Sequence, residues 1–381
     1  MKYPARSDSF SRRRFVATTS ALAMSAGLSR PAEAPVRPVA PPLLTPADKF
    51  RDVSRGTPKP HALKGDALIA ASLGRPLTLA DGSALDYATL VDLGKKHGVK
   101  FLKAMQCLNI PAPLGQGLWE GVPLREVLRL CGPLRNVRRI CYWGFHNNDP
   151  RQLFQSSLSY SQAMETPPGE LPAFLAYRLN GEPLSLLRGG PVRMVIPWAH
   201  GFKSIKWLQR IVVTNDYRAN DTYAEQNNDP EAPLKTAAYL DTLPAKLPAG
   251  QPIALGGLVI AGWSGLKRVE YALAPANAAA DAPEQWLPAR LEPPPADWSV
   301  VLPPGVSARD ILGFDPQTGQ PTTWPLRYSM ISWSATLAGL AKGKYAVRAR
   351  AVDLNGFAQP EPRPIQKAGR NSLDVREFEV S

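Results

Sequence analysis

The sequence predicts an α+β domain followed by a β-sandwich of immunoglobulin type. Three observations carry this expectation. The chain has 381 residues, more than one ordinary core accommodates, so two domains are expected. Its 40 prolines favour loops, turns and sheet over a helical bundle. Composition shifts near Asp229–Leu240, and beyond it short β-like runs recur between Pro/Gly turns. The boundaries that follow are residues 35–231 for the first domain and 232–381 for the second.

In chain order, residues 1–34 read as an address rather than as fold. Ser11-Arg12-Arg13-Arg14-Phe15-Val16 is a twin-arginine element, a weakly apolar segment runs from Phe15 to Leu28, and Ala32-Glu33-Ala34 is an A-x-A cleavage site. The apolar segment is too short and too rich in Ala, Ser and Thr to span a bilayer. Export to the periplasm through the twin-arginine translocase is therefore expected. The formal charge is +13, of which six basic and two acidic residues in 1–34 contribute +4, leaving +9. Lys and Arg are scattered among Asp and Glu and no nucleic-acid motif accompanies them, so no nucleic-acid partner is expected. A basic surface of this kind attracts anionic substrates.

Pro35–Pro60 reads as an extended arm, with Thr45-Pro46-Ala47-Asp48 as a helix start. Leu77–Leu93 has the pattern of a strand, an Asp81-Gly82 turn and a short helix. Lys100–Pro111, KFLKAMQCLNIP, alternates as a strand and ends where Pro111 stops regular pairing, with Cys107 at the mouth of the turn. Then follow an amphipathic helix at Arg125–Leu130, a strand at Val137–Trp143, a short helix at Ser159–Met164 and a buried strand at Pro172–Leu179. Asn180-Gly181 makes a tight turn, and Pro191–Ile196 and Lys206–Val213 are strands. In the second domain the β-like runs are Pro252–Ala261, Lys267–Ala274, Leu287–Leu291, Ser329–Ala335, Tyr345–Ala351 and Leu373–Val380. Ala308-Arg309-Asp310-Ile311 is the helix-like exception.

Two stretches carry chemistry. Cys107 at a strand end reads as a ligand to a soft metal, a nucleophile or a plain buried residue. Arg188–Trp207, RGGPVRMVIPWAHGFKSIKW, places three glycines, two arginines, a histidine and two lysines within 20 residues of apolar framework. It reads equally as an anion site, with Gly allowing close approach and Arg and Lys donating, or as a basic hairpin facing water. Cys131 and Cys141 are either a disulfide or two core thiols, and no CxxC or paired Cys/His spacing points to zinc. His61 and His97 read as solvated loop residues, His146 as a surface turn residue, and His200 belongs to the basic motif.

Gln106-Cys107-x-Asn109, Trp119–Leu128 (WEGVPLREVL), Phe174–Leu184 (FLAYRLNGEPL) and GGPVRMVIPW…GFKSIKWL resemble, in the same order, motifs of the sulfite oxidase family. The second domain resembles that family's immunoglobulin-like dimerisation domain through Ala261–Gly265 with Arg268–Tyr271, and through Val347–Asp353 with Gly356 and Gln359-Pro360. The resemblance implies a sulfite-oxidase-type domain binding one molybdenum with molybdopterin. It implies Cys107 as the metal-ligating thiolate and Arg193, Ser204 and Lys206 as cofactor-binding residues. Ser157 matches a family serine near the pterin, Lys203 and His200 are implied by their place in the motif, and Arg188 stands where the family has a histidine. Arg55, or else Arg51, is the expected substrate-binding arginine. Leu108-Asn109-Ile110-Pro111 replaces the usual Gly-Asn-Arg-Arg, and the active-site tyrosine expected near Gln226–Asp229 is absent, Tyr223 lying close by. The implied chemistry is oxygen-atom transfer, with sulfite as the family substrate. A sulfane-sulfur dehydrogenase subunit and a sulfoxide or N-oxide reductase are the alternatives, and a non-catalytic exported binding protein is the alternative from another class. No CxxCH is present for haem, so electrons are expected to pass to a separate c-type cytochrome, in a homodimer or a heteromer with a cytochrome subunit.

Overall fold

A computed structural model describes residues 41–53, 77–78, 84–108, 110–131, 134–145, 153–219, 221–222, 229–278, 284–361 and 369–381. The twin-arginine segment, the Asp81-Gly82 turn, His61 and His146 lie outside the described residues. The chain is mostly sheet with few helices, and no helix of the described residues is long and apolar enough to cross a membrane.

Two short strands, β1 (Leu77–Thr78) and β2 (Ala84–Leu85), precede helix α1 (Tyr87–His97). Asp86 caps α1, its carboxylate accepting from Thr89 N at 2.7 Å. The cysteine-bearing strand β3 (Val99–Gln106) pairs antiparallel with β4 (Pro113–Pro123), which runs directly into helix α2 (Leu124–Arg129). Strands β5 (Arg139–Phe145) and β6 (Leu153–Ser159) follow, then helix α3 (Tyr160–Met164), closed at its start by a Ser159–Gln162 capping box. Strands β7 (Phe174–Leu179), β8 (Glu182–Pro183), β9 (Arg193–Val195) and β10 (Leu208–Thr214) complete this half. Asn180 at φ 52° and Gly181 at φ 82° form the turn read from their sequence. One sheet has the order β3-β4-β7-β8, with β9 also on β7, and a second has the order β10-β5-β6.

The C-terminal half holds β11 (Ala237–Leu240), β12 (Lys246–Leu247), β13 (Ile253–Ile260), β14 (Arg268–Pro275), β15 (Leu287–Pro288), β16 (Arg290–Leu291), β17 (Met330–Leu337), β18 (Gly343–Val352) and β19 (Asp374–Val380). They form two sheets, ordered β11-β13-β17-β16 and β12-β19-β18-β14-β15. Leu255, Val259 and Trp333 from the first meet Val269, Val347 and Phe378 from the second in one core. The run Leu287–Leu291 is not one strand. Its first pair joins β14 and its second joins β17, so the chain crosses between sheets there. Pro288, which has no N–H to donate, stands at the break. Ala308–Asp310 is a single 3-10 turn.

Two further expectations change. Thr45 starts no helix: its hydroxyl accepts from Gln116 N at 3.0 Å and its amide donates to Gln116 O at 2.8 Å, so β4 takes the groups that would have capped one. The described part of the arm lies along β4, with Arg51 N donating to Leu114 O at 2.8 Å. His97 is the last residue of α1, half-buried, with Nδ1 3.9 Å from Glu126 Oε2, and so is not a solvated loop residue.

Strand β3 is held on both sides. Beyond β4, Ala104 N donates to Tyr328 O at 2.8 Å and Leu312 N to Lys100 O at 2.8 Å. Gln116, fully buried on β4, ties the arm and the C-terminal half to this sheet. Its amide donates to Leu43 O at 3.0 Å and Met330 O at 2.9 Å, and its carbonyl accepts from Met330 N at 2.5 Å. Gln116→Leu strands these buried partners, so a loss of about 3 kcal/mol or more is expected in urea unfolding. A loss near zero would show that the halves are joined elsewhere.

Candidate functional site

Strand β9 and the turns on either side of it bring the basic motif into the interior. A 3-10 turn, Leu186–Arg188, ends at Gly189, whose φ of 98° suits only glycine. A Cβ there would stand 2.7 Å from Lys206 Cβ, so the missing side chain lets the two segments cross. Arg188 points inward at 4% exposure and donates to Phe50 O at 3.3 Å, its guanidinium 5.9 Å from the Phe50 ring centroid. Arg193 on β9 donates to Arg188 O at 2.9 Å and Ser204 O at 2.6 Å and lies 5.1 Å from the Trp119 ring centroid. Burial first, and the Arg188 charge second, pull Arg193 down to about 9. Lys206 Nζ donates to Leu187 O at 2.9 Å and to Asp52 at 3.2 Å, and burial brings it down to about 8.

His200 follows at the start of the 3-10 turn Gly201–Lys203, 1% exposed. Neither ring nitrogen has a hydrogen-bond partner among the described residues. Burial, then the neighbouring Lys103 ammonium, lowers it to about 4, so the imidazole is neutral at pH 7. Gly369, from the C-terminal half, closes over the ring so tightly that a Cβ there would strike Nε2. On the other side the turn packs on the end of β3, where a Cβ at Gly201 would stand 3.2 Å from Gln106 O. Gln106 pins the loop that follows, donating to Cys107 O at 3.0 Å and Ile110 O at 2.6 Å. Cys107 is half-buried against the cluster that contains Phe50, Met105 and Trp119.

All buried side-chain polar atoms without a partner among the described residues belong to five residues: Gln106, Ser156, Arg188, Arg193 and His200. Such atoms are costly in a finished interior. Among the described residues, moreover, no carboxylate oxygen lies within 4.0 Å of Arg188 or Arg193, whereas Lys203 and Lys206 each have one. A recess of unpaired cationic donors fits an anionic group such as a phosphate ester. The half-buried Cys107 thiol, packed on the cluster whose Phe50 and Trp119 rings carry Arg188 and Arg193, fits a soft metal as thiolate. The donor set therefore fits a metal–pterin phosphate group.

Not every expected residue faces this recess. Ser157 is committed within the protein: its hydroxyl accepts from Arg139 at 3.1 Å, its amide donates to Asp221 at 2.8 Å and its carbonyl accepts from Lys203 at 2.6 Å. Its neighbour Ser156 carries the unpartnered hydroxyl. Lys203 is likewise structural, 2% exposed and ion-paired with Asp221 at 3.4 Å, so it fastens the turn to β6. Ser204 Oγ accepts from Ile196 N at 3.0 Å and keeps its own proton to donate. Arg55 and Tyr223 lie outside the described residues. Arg51 is exposed and lines a groove of about 970 Å³ that also includes Pro111–Gly115 but none of Arg188, Arg193 or His200. No disulfide joins Cys131 and Cys141. Sequence reading missed Lys103, Gln106, Ser156 and Asp221. For Lys103 a signal existed, a lysine at an inward position of an apolar alternation.

Residues 88–222 match the family described as the oxidoreductase molybdopterin binding domain. Residues 88–222 therefore carry an oxidoreductase molybdopterin binding domain. The matched stretch includes Cys107, Arg188, Arg193, His200 and Lys206, so the recess lies within the molybdopterin-binding domain. The NAD(P)H nitrate reductase of Betula pendula is 36% identical over 123 residues, 31% of this chain and 13% of that protein. The inducible NADH nitrate reductase 1 of Glycine max is 36% identical over 150 residues, 37% of this chain and 16% of that protein. The match thus spans under a fifth of these relatives. The structure of the sulfane dehydrogenase SoxCD from Paracoccus pantotrophus is alike in fold, with a TM-score of 0.53 and 17% identity over 76% of this chain and 74% of that one.

The lowered His200 carries a pH signature. Its folded value of about 4 lies below its ordinary 6.5, so the stability it permits is complete above pH 6.5 and is lost as pH falls toward 4. The full loss is about 3 kcal/mol. In cofactor-free protein, urea unfolding between pH 7 and pH 4 should show that component in the wild type and not in His200→Gln. Equal slopes would mean that His200 is solvated.

Proposed function

We propose that this chain is an exported molybdenum oxidoreductase that oxidises a small sulfur compound, with sulfite as the first candidate, and passes electrons to a separate c-type cytochrome. The observation that carries this reading is the pair of buried arginines, without a carboxylate among the described residues, stacked on Phe50 and Trp119 of the cluster against which Cys107 packs. Bound there, the molybdenum–pterin group supplies two-electron oxygen-atom transfer. Cys107 would hold the metal. Arg188, Arg193, Ser204 and Lys206 would hold the anionic end, and neutral His200 would offer one donor and one acceptor nitrogen. Gln106 orients the Cys107–Ile110 loop through its two carbonyl contacts. Lys203 and Asp221 position the turn that carries Ser204 and Lys206.

Residues 35–231 are read as the cofactor domain and 232–381 as an immunoglobulin-like dimerisation domain. The sheet orders β11-β13-β17-β16 and β12-β19-β18-β14-β15 support the second assignment, because they correspond to strands A-B-E-D and A′-G-F-C-C′ of such a sandwich. Ser11–Val16 and Ala32–Ala34 support export through the twin-arginine route to the periplasm. A second reading, oxidation of a sulfane sulfur, draws on two observations. The fold is like that of a sulfane dehydrogenase, and uncharged Ile110 and Pro111 stand where the Gly-Asn-Arg-Arg of sulfite oxidases carries its two arginines.

Protein made in a host that supplies the cofactor should contain about one molybdenum and one pterin per chain. It should reduce ferricyanide or cytochrome c with sulfite at a kcat of order ten per second. Cys107→Ser should lose the activity together with the metal, and full activity in that variant would sink the ligand assignment. Loaded protein silent with sulfite but active with thiosulfate or a persulfide would favour the second reading. Turnover with nitrate and a reduced dye alone would exclude both. Ile110→Arg should raise sulfite turnover if the pocket lacks only charge, and unchanged turnover would count against that explanation.

A further inference from the structure

Lys103 is buried without the carboxylate that a structural lysine of this fold carries, among the described residues. It sits on β3, four residues before Cys107, at 0% exposure. Its ammonium has three hydrogens to place. It donates to Ala104 O at 3.1 Å and to Ala199 O at 3.5 Å, the second at the outer limit of a hydrogen bond. Among the described residues no carboxylate oxygen lies within 4.0 Å of it. An ammonium taken out of water without a counter-charge is a large cost that two carbonyls do not offset.

Lys203 shows what this fold does with a buried lysine that serves the framework. It is 2% exposed, and it donates to Asp221 at 3.4 Å and to the Ser157 carbonyl at 2.6 Å. Lys103 receives nothing comparable. The groups that face it are also cationic or neutral: the Arg193 charge depresses its proton affinity, and its own charge depresses that of His200. Alternation along β3 sets Lys103 on the side of Phe101 and Met105, the side whose cluster receives Cys107 and Trp119. Trp119 in turn carries the Arg193 guanidinium.

We propose that Lys103 is a cofactor-binding residue, its buried ammonium placed to meet the anionic part of the metal–pterin group beside Cys107. This rests on the molybdenum reading above. Burial with Arg193 nearby brings Lys103 down to about 7 in the chain alone, and an anion in the recess would hold it charged.

The test uses the full chain with Lys103→Met, a change that keeps the aliphatic bulk and removes the charge. Each form is made in a cofactor-competent host and in a host unable to make the pterin. Two quantities are read, molybdenum and pterin per chain in the first preparation and the thermal midpoint of the second. The proposal expects cofactor content to fall roughly tenfold. It also expects the cofactor-free midpoint to hold or rise, since an unpaired buried charge has been replaced by an apolar group. A fall in the cofactor-free midpoint, including failure to fold, would assign Lys103 to the framework and overturn the proposal. Unchanged cofactor content would overturn it as well. Lys103→Arg keeps the charge and should retain cofactor; a folded Lys103→Arg chain as empty as Lys103→Met would also count against it. Wild-type protein without molybdenum and pterin would overturn the functional reading itself, so the two failures are distinguishable.

Discussion

Arg188, Arg193 and Lys103 hold positive charge in an interior where none of them meets a carboxylate among the described residues. Much of the surrounding structure follows from keeping them there. Arg193 lies over Trp119 and Arg188 over Phe50, so aromatic faces supply part of the stabilisation that water would have given. The guanidinium of Arg193 is fixed by the carbonyls of Arg188 and Ser204, one on each side of β9. That geometry requires the 188–193 and 203–206 segments to cross closely, which Gly189 permits. Desolvation lowers the proton affinity of every one of these cations, as expected of sites that await an anion.

The scaffold that carries this charge is built from both halves of the chain. Strand β3 delivers Cys107 and Lys103, and its free edge is paired by backbone at Tyr328 and Leu312 rather than by another strand of its own half. Gln116 repeats the join one strand away. Gly369, close in sequence to β19, forms part of the wall over His200. The C-terminal half therefore contributes Gly369 to the surroundings of His200. An uncharged His200 between that wall and the end of β3 adds donor and acceptor capacity without further positive charge.

Two lysines of the same motif region, one buried and one partly buried, show how similar residues separate into different roles. Lys203 and Asp221 satisfy each other and make a fixed strut between the turn and β6. Lys206 also has a carboxylate, Asp52, but this one comes from the arm along β4 and is half-exposed. The arm therefore pairs Lys206, while Arg193 and Lys103 have no carboxylate within 4.0 Å among the described residues.

The strands, the Asn180-Gly181 turn, the Ser159 cap and the basic motif around β9 were legible because each depends on near neighbours. Apolar alternation, Pro and Gly punctuation and capping chemistry act over a few residues. Cys107 at the end of its strand was legible for the same reason. What failed depends on contacts made at a distance. Thr45 has the chemistry of a helix cap, but Gln116 takes its hydroxyl across 71 residues. Leu287–Leu291 has the composition of one strand, but its two ends are claimed by different sheets. Ser157 and Lys203 have the right types for cofactor contact, and only the structure shows that Asp221 engages both. Lys103 reads as an ordinary lysine until burial and the lack of a carboxylate are both visible. The amino-acid order by itself determined which elements form and where charge accumulates along the chain. The tertiary structure decided which of those charges are satisfied, because a buried polar group finds its partners through space and not along the sequence.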